Sequence, residues 1–374
     1  MSAPVPPEAH LLALAGLPGM GPARLLAVLR AWGPAGAWTR VRRGTAGDRP
    51  DVAARLGPRP DEVLAAWVTA AAAVDPVACW ERHRAAGVDL TVLGSPDYPA
   101  ALGDDHEPPA LVVSRGALDA LDGPCAAVVG TRRCTRTGRE LAFELGRDLA
   151  AAGVRVVSGL ARGIDAAAHR GALVADGAPP VGVIATGPDI VYPPGHADLW
   201  QRVATRGVLL GEAPLGTRPA AWRFPARNRI IAALASVVVV VESHARGGAL
   251  HTVTEALDRD RTVLAVPGSV RNPAAAGTNR LLHDGIGPAR DAADVLAALG
   301  LATAPPAPGS DPRVRPSPGG ARVLDALGWD PCTLDRIAVV TGLAPGALAL
   351  VVAELERDGW VHRRGGWLER AGRP

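Results

Sequence analysis

Arginine, glycine and threonine gather in a few short stretches of this 374-residue chain, each directly behind an apolar run. The first is Gly130-Thr131-Arg132-Arg133-Cys134-Thr135-Arg136, and the second is Ser158-Gly159-Leu160-Ala161-Arg162-Gly163-Ile164-Asp165. Thr186-Gly187-Pro188 follows a third run, and Glu242 to Gly248, with Arg246 and Gly247 inside it, follows another. Glycine lets a backbone approach an anion closely, and a helix start aims N–H groups at it. Around the first stretch Arg132, Arg133, Arg136 and Arg139 stand against one acid, Glu140. Arg223, Arg227, Arg229 and Arg246, with Asn228 among them, stand against Glu242 in the same way. Cations at helix starts oppose the macrodipole, so their repetition there points to an anionic, phosphate-bearing ligand.

The elements that must position these residues read as a parallel sheet. Val237 to Val241, ending in Glu242 and Ser243, is a strand apolar on both faces, as parallel strands covered by helices are. Strands are predicted near 125–129, 154–158, 181–186, 207–211, 236–241 and 262–266. Helices are predicted at 136–152, 164–177, 197–206, 226–234 and 248–258, with another starting at Gly277. This alternation implies an α/β fold, an extended Rossmann-like doubly wound parallel sheet, with ligands beyond the carboxyl ends of the strands. Residues 88–124, rich in proline, read as a lead-in to the sheet.

Before the sheet, residues 8–85 read as a small helical domain of helix-hairpin-helix or SAM-like type. His10 to Leu17, the turn Pro18-Gly19-Met20-Gly21 and a helix from Pro22 form its hairpin. Arg24 is the nearest cation, too few contacts for DNA, so the hairpin is expected to pack rather than bind. After the sheet, three helices near 321–327, 333–341 and 345–358 and a hairpin around Gly365-Gly366 form a winged helix. The resulting division is 1–87, helical; 88–301, α/β; 302–318, a proline-rich linker; and 319–374, winged helix.

Composition excludes several classes. With 48% hydrophobic and 21% charged residues the chain is globular, and a net charge of +3 is too small to make its whole surface attract nucleic acid. A basic site must be local. Every one of the forty cations is arginine, which codon bias explains, and lysine-dependent loops or Schiff bases are therefore ruled out. Cys79, Cys125, Cys134 and Cys332 form no CxxC, and the histidines show no HExxH spacing, so neither disulfide framework nor metal is expected. The opening MSAPVPPEAH lacks the features of a signal peptide, and no window suits a membrane span, so a cytoplasmic protein is expected.

The same residues bear on other chemistries. GxGxxG with a downstream ribose-binding acid is absent, which disfavours a dinucleotide. Ser158, Asp165 and His169 lie close together, but no GxSxG elbow supports a hydrolytic triad; Asp165 is expected to brace the glycine loop and His169 to pack. Trp222 and Phe224 flank Arg223 and offer a base-stacking surface, with core packing as the alternative.

The segments VVGTRRCTRTG, VVSGLARGIDAAAH, GVIATGPDIVYPPGH, FPARNRIIAALASVVVVVES, ARGGALHTVTEAL and AVPGS followed by GTNRLLHDG resemble, in order, the DNA-processing protein DprA (Smf) family over residues 90–300. The resemblance implies single-stranded DNA binding by the Rossmann-like domain, homodimerisation through it, and delivery of the strand to the RecA recombinase in natural transformation. It implies no catalysis and no cofactor. Arg132 would grip the backbone beside the SGLARG loop, with Arg227, Arg229 and the Gly247-Gly248 loop lining the same pocket. The full contact set expected is Gly130, Thr131, Arg132, Arg133, Thr135, Ser158, Gly159, Ala161, Arg162, Gly163, Gly187, Arg227, Asn228, Arg229, Arg246, Gly247 and Gly248. The chain departs from the family in having Gly247 and Ala249 where serines are common, and Gly195 and His196 where a charged residue and Asn are common. Those changes imply a pocket that binds more weakly or depends more on Arg246.

Two rival readings remain. GGALHTVTEAL imitates the PGGxGTxxE loop of nucleotide N-glycosidic hydrolases, with Glu255 as acid, but lacks the proline and the GT pair. A winged-helix transcription regulator is weakened by the predicted recognition helix, which starts Ala347-Leu348-Ala349-Leu350 and ends in Glu354, Glu356 and Asp358. Arg363 and Arg364 on the wing are its phosphate candidates, and a protein-contact or auxiliary role is favoured.

Overall fold

The computed structural model describes residues 5–301 and 313–371, so most of the linker lies outside the described residues. Two compact units result, one ending near Ala302 and the other covering the C-terminal segment.

The first unit is built on nine strands. In chain order they are β1 (Asp89–Val92), β2 (Leu111–Gly116), β3 (Cys125–Val129), β4 (Arg155–Ser158), β5 (Val181–Val183), β6 (Val208–Gly211), β7 (Val237–Val240), β8 (Thr262–Ala265) and β9 (Gly287–Pro288). Their spatial order is β1-β2-β6-β5-β4-β3-β7-β8-β9. From β6 to β9 every neighbouring pair is parallel. The chain steps from β3 outward through β4, β5 and β6, then returns to the other side of β3 to lay down β7 and β8. The switch point of the sheet therefore falls between β3 and β7, where open α/β sheets hold their ligands.

The valine run explains itself in this arrangement. Val238 and Val240 pack with Ala127 and Val129 against the helix Arg223–Leu234, whereas Val237, Val239 and Val241 pack with Ala126 and Val128 against the helices Arg136–Ala151 and Ile164–Val174. Successive strand residues point to opposite faces, so a strand covered on both needs an apolar residue at each position.

Residues 88–124 are more than a lead-in. They contain β1 and β2, which extend the sheet antiparallel beyond β6. Pro96, Pro99, Pro108 and Pro109 all fall between the two strands, where a missing N–H breaks no ladder. Leu111 and Val113 of β2 also complete the core of the N-terminal helices, beside Leu11, Leu14, Val28 and Trp67. There the helices Pro7–Ala15 and Pro22–Arg42 flank the glycine turn, and the second is broken at Gly33. Arg24 donates to the carbonyls of Gly19, Arg55 and Leu56, so the hairpin's cation ties its turn to the segment at Arg55 and Leu56.

The C-terminal unit has helices Pro318–Leu327, Leu334–Thr341 and Pro345–Arg357 with a small sheet of β10 (Cys332–Thr333), β11 (Val361–Arg364) and β12 (Trp367–Arg370), a winged helix. Its core gathers Val323, Leu324, Ile337, Leu348, Val352, Leu355 and Leu368. Leu350 is exposed on the last helix, Arg363 and Arg364 are exposed on the wing, and Arg357 pairs with Asp358.

Candidate nucleic-acid interface

A cleft of about 830 Å3 opens at the switch point. Gly130, Thr131, Arg132 and Arg133 enter it from the end of β3, and His244, Arg246, Gly247 and Gly248 from the end of β7. Arg227 and Asn228 reach it from the third side, on the helix Arg223–Leu234. A smaller recess beside it adds Gly159, Ala161 and Arg162 from the end of β4.

The loop after β3 is braced from within. Thr131 N donates to the Glu242 carbonyl at 2.8 Å, which fastens the two strand ends together. The buried Glu242 carboxylate accepts from Thr135 N at 2.8 Å and from Thr135 Oγ1 at 2.6 Å, while Thr135 Oγ1 caps Gly138 N at 3.0 Å. The start of the helix Arg136–Ala151 is thus already occupied by the protein's own anion, which suits the helix dipole. Thr135 is a cap, and the helix start is closed to an external phosphate.

The loop after β4 is closed similarly. Gly159 N donates to Asp165 Oδ2 at 3.2 Å, and Ser158 Oγ donates to Val128 O at 2.6 Å, so both polar side chains hold the loop. Gly163 has φ +85°, and a side chain there would strike the Thr131 carbonyl, so glycine is required where the two loops meet. Arg227 lies beneath them, donating to Gly159 O at 2.8 Å and to Val183 O. Burial draws its pKa down to about 10, which leaves it cationic at neutral pH. Burial pushes Asp165 up, against the pull of Arg227. His169 is fully buried, and burial lowers it to about 4.

The helix Ala249–Leu257 is different. It starts at Gly248 with no side-chain cap, and Gly247, Gly248, Ala249 and Thr252 all line the cleft. Its first turn faces the same space as exposed Arg132, Arg133 and Arg246. Nothing lies within 4 Å of where a Cβ on Gly248 would be, whereas a side chain on Gly247 would press on Ser243 and His244. Glycine at 247 is therefore fitted to this chain's own Ser243. Phe224 supplies an aromatic wall, with the Arg132 guanidinium 5.2 Å from its centroid and the Tyr192 ring at 5.2 Å and 42°.

Five expected contacts are not brought into the cleft: Thr135 and Ser158, both spent on bracing the loops, and Gly187, Arg229 and Gly163. Gly187 is buried, its N–H donating to Thr217 O at 2.9 Å. Arg229 pairs with Glu212 and donates to Glu107 O at 2.7 Å on the far side of its helix. Gly163 lies below the rim as a packing residue. Tyr192, His244, His251 and Thr252 line the cleft without having been singled out from sequence. His251 and Thr252 fall one helical turn beyond Gly247 and Gly248, a spacing that would have found them. Trp222 turns away toward Gly21 and stacks on Arg223 at 4.4 Å, which separates it from Phe224.

The arrangement offers a polyanion guanidinium groups, a helix start with no side-chain cap and an aromatic wall. Glu255, the acid a hydrolase reading needs, is engaged by Arg259 at 2.5 Å, and Arg259 also binds Asp105.

Comparison with known proteins agrees with this geometry. Residues 89–300 match the family model described as DNA recombination-mediator protein A, and residues 302–366 match the DprA winged helix domain. A putative DNA processing protein DprA of Mycobacterium tuberculosis is 38% identical over 92% of this chain and 89% of its own length. The X-ray structure of DNA processing protein A from Streptococcus pneumoniae superposes with a TM-score of 0.62 at 30% identity, over 78% of this chain and 96% of that one. DNA processing protein A from Helicobacter pylori, whose structure is described in terms of a single-stranded DNA binding mode, superposes at 0.51 with 27% identity, over 56% and 95%.

Proposed function

Because this chain belongs to the DprA family of DNA-processing proteins, we propose that it binds single-stranded DNA along the switch-point cleft and passes the strand to the RecA recombinase. The observation that carries the reading is the convergence of Arg132, Arg133, Arg227 and Arg246 on an uncapped helix start, with the one acid lining the cleft, Asp165, turned to Gly159 N. Sugar-phosphate contacts of this kind are blind to sequence and sensitive to salt. Phe224 and Tyr192 add a surface on which an unpaired base stacks, which a duplex does not offer. The protein acts as a mediator without catalysis, in the cytoplasm, as a homodimer assembled through the Rossmann-like unit. Among the described residues no single helix is long and apolar enough to cross a membrane.

The test is a binding series with oligothymidylate and a duplex of equal length. Preference for the single strand, weakening as salt rises, supports the reading; equal affinity for both refutes it. Incubation with nucleoside monophosphates should free no base.

A further inference from the structure

A second groove, of about 480 Å3, lies beside the cleft and shares a wall with it. The wall is the segment between β6 and the helix Arg223–Leu234. Pro219 and Ala220 line both spaces, Ala221 and Phe224 face the cleft, and Arg218, Trp222 and Arg223 line the groove. The opposite side of the groove is the glycine turn of the N-terminal hairpin, Gly16 to Gly19, together with Arg82 and His83.

We infer that this groove is a continuation of the single-strand path, taking the sugar-phosphate chain as it leaves the cleft over Pro219 and Ala220. The inference rests on the cleft's being the strand's primary seat. Four observations favour a polyanion here. No aspartate or glutamate lines the groove, whereas Arg82, Arg218 and Arg223 do. Arg82 and Arg218 are exposed, and neither has a carboxylate partner among the described residues. Trp222 is 41% exposed, and with the Arg223 guanidinium 4.4 Å from its ring it offers a stacking platform next to a cation. The wall is held in place: Leu215 N donates to His83 Nε2 at 3.0 Å, while His83 Nδ1 donates to Cys79 O at 2.9 Å.

Position agrees with continuity. Pro219 and Ala220 face both spaces, so a single stretch of chain separates the cleft from the groove. A strand crossing the wall therefore meets the second set of cations on its far side. The N-terminal helices contribute a surface to the path through Arg82, although Arg24 is committed to the carbonyls of Gly19, Arg55 and Leu56.

The experiment compares short oligothymidylate, about 6 nucleotides, with a long one, about 20, on the full chain and on the double variant Arg82→Ala, Arg218→Ala. The short probe fits the cleft alone, so both proteins should bind it equally. The variant should bind the long probe about tenfold more weakly, with a salt slope shallower by roughly 1.4, two contacts at about 0.7 each. An unchanged thermal midpoint shows that the variant folds. Equal long-probe affinity in the two proteins overturns the inference while leaving the cleft reading intact. Failure of the unaltered protein to bind either probe overturns both, and equal loss for both probes assigns Arg82 and Arg218 to the primary seat instead of an extension.

Discussion

Two helix starts, one on each side of the switch point, are built from similar sequence and end in opposite states. The helix Arg136–Ala151 begins at Thr135, whose hydroxyl and amide both hold the Glu242 carboxylate. The helix Ala249–Leu257 begins at Gly248, uncapped, among arginines. The first has its anion built in; the second has no side chain of the protein at that position. The closed side gives the cleft a fixed frame, and the proposed function puts the binding on the open side. Substitutions on the closed side should therefore alter stability, and those on the open side DNA affinity.

The largest effect is expected from Arg132→Ala combined with Arg246→Ala. Each removes a charge-assisted contact of about 2 kcal/mol, together about 1,000-fold in single-strand affinity, with the thermal midpoint held. A midpoint that collapses with affinity intact would reverse the assignment. Next comes His169, on the closed side, whose pKa lies near 4 in the folded chain against 6.5 when unfolded. Between those values the unfolded chain takes up a proton that the folded one refuses, so stability is complete above pH 6.5 and declines toward pH 4. The loss is on the order of 3 kcal/mol. Thermal midpoints measured from pH 7 to pH 4.5 should fall more steeply than in His169→Leu, and parallel curves would deny the effect. Glu242→Gln should cost about 2 kcal/mol of stability in denaturant titration while changing DNA affinity little, because it unsettles the frame alone. An affinity loss matching that of the double arginine variant would erase the distinction between the two helix starts. The smallest and sharpest is Gly248→Asp, for which there is room. A carboxylate there suits the positive end of the helix dipole, so it should stabilise the chain by a few tenths of a kcal/mol yet weaken DNA binding severalfold by repelling phosphate. Unchanged binding would mean the helix start takes no phosphate.

Much of this was legible in the residues. Runs such as Val237 to Val241 locate strands because double-sided burial leaves no polar position, and the turns behind them follow from the sheet's polarity. β1 and β2 were not legible, because four prolines between them mask two short strands and antiparallel addition leaves no long-range mark in sequence. The fate of Arg229 was partly readable. It lies two residues from Arg227, so the two side chains leave opposite faces of one helix. What nothing in the sequence states is that Glu212 waits on the far face. Tyr192 escaped notice for a similar reason: only the folded chain brings it to Phe224.

The central claim is most directly tested by the affinity of the unaltered protein for oligothymidylate across a range of salt concentrations. On a short probe the three exposed arginines, Arg132, Arg133 and Arg246, predict a straight line of log affinity against log salt with a slope near −2, about −0.7 for each contact. A flat line would contradict a cleft that works through phosphate contacts.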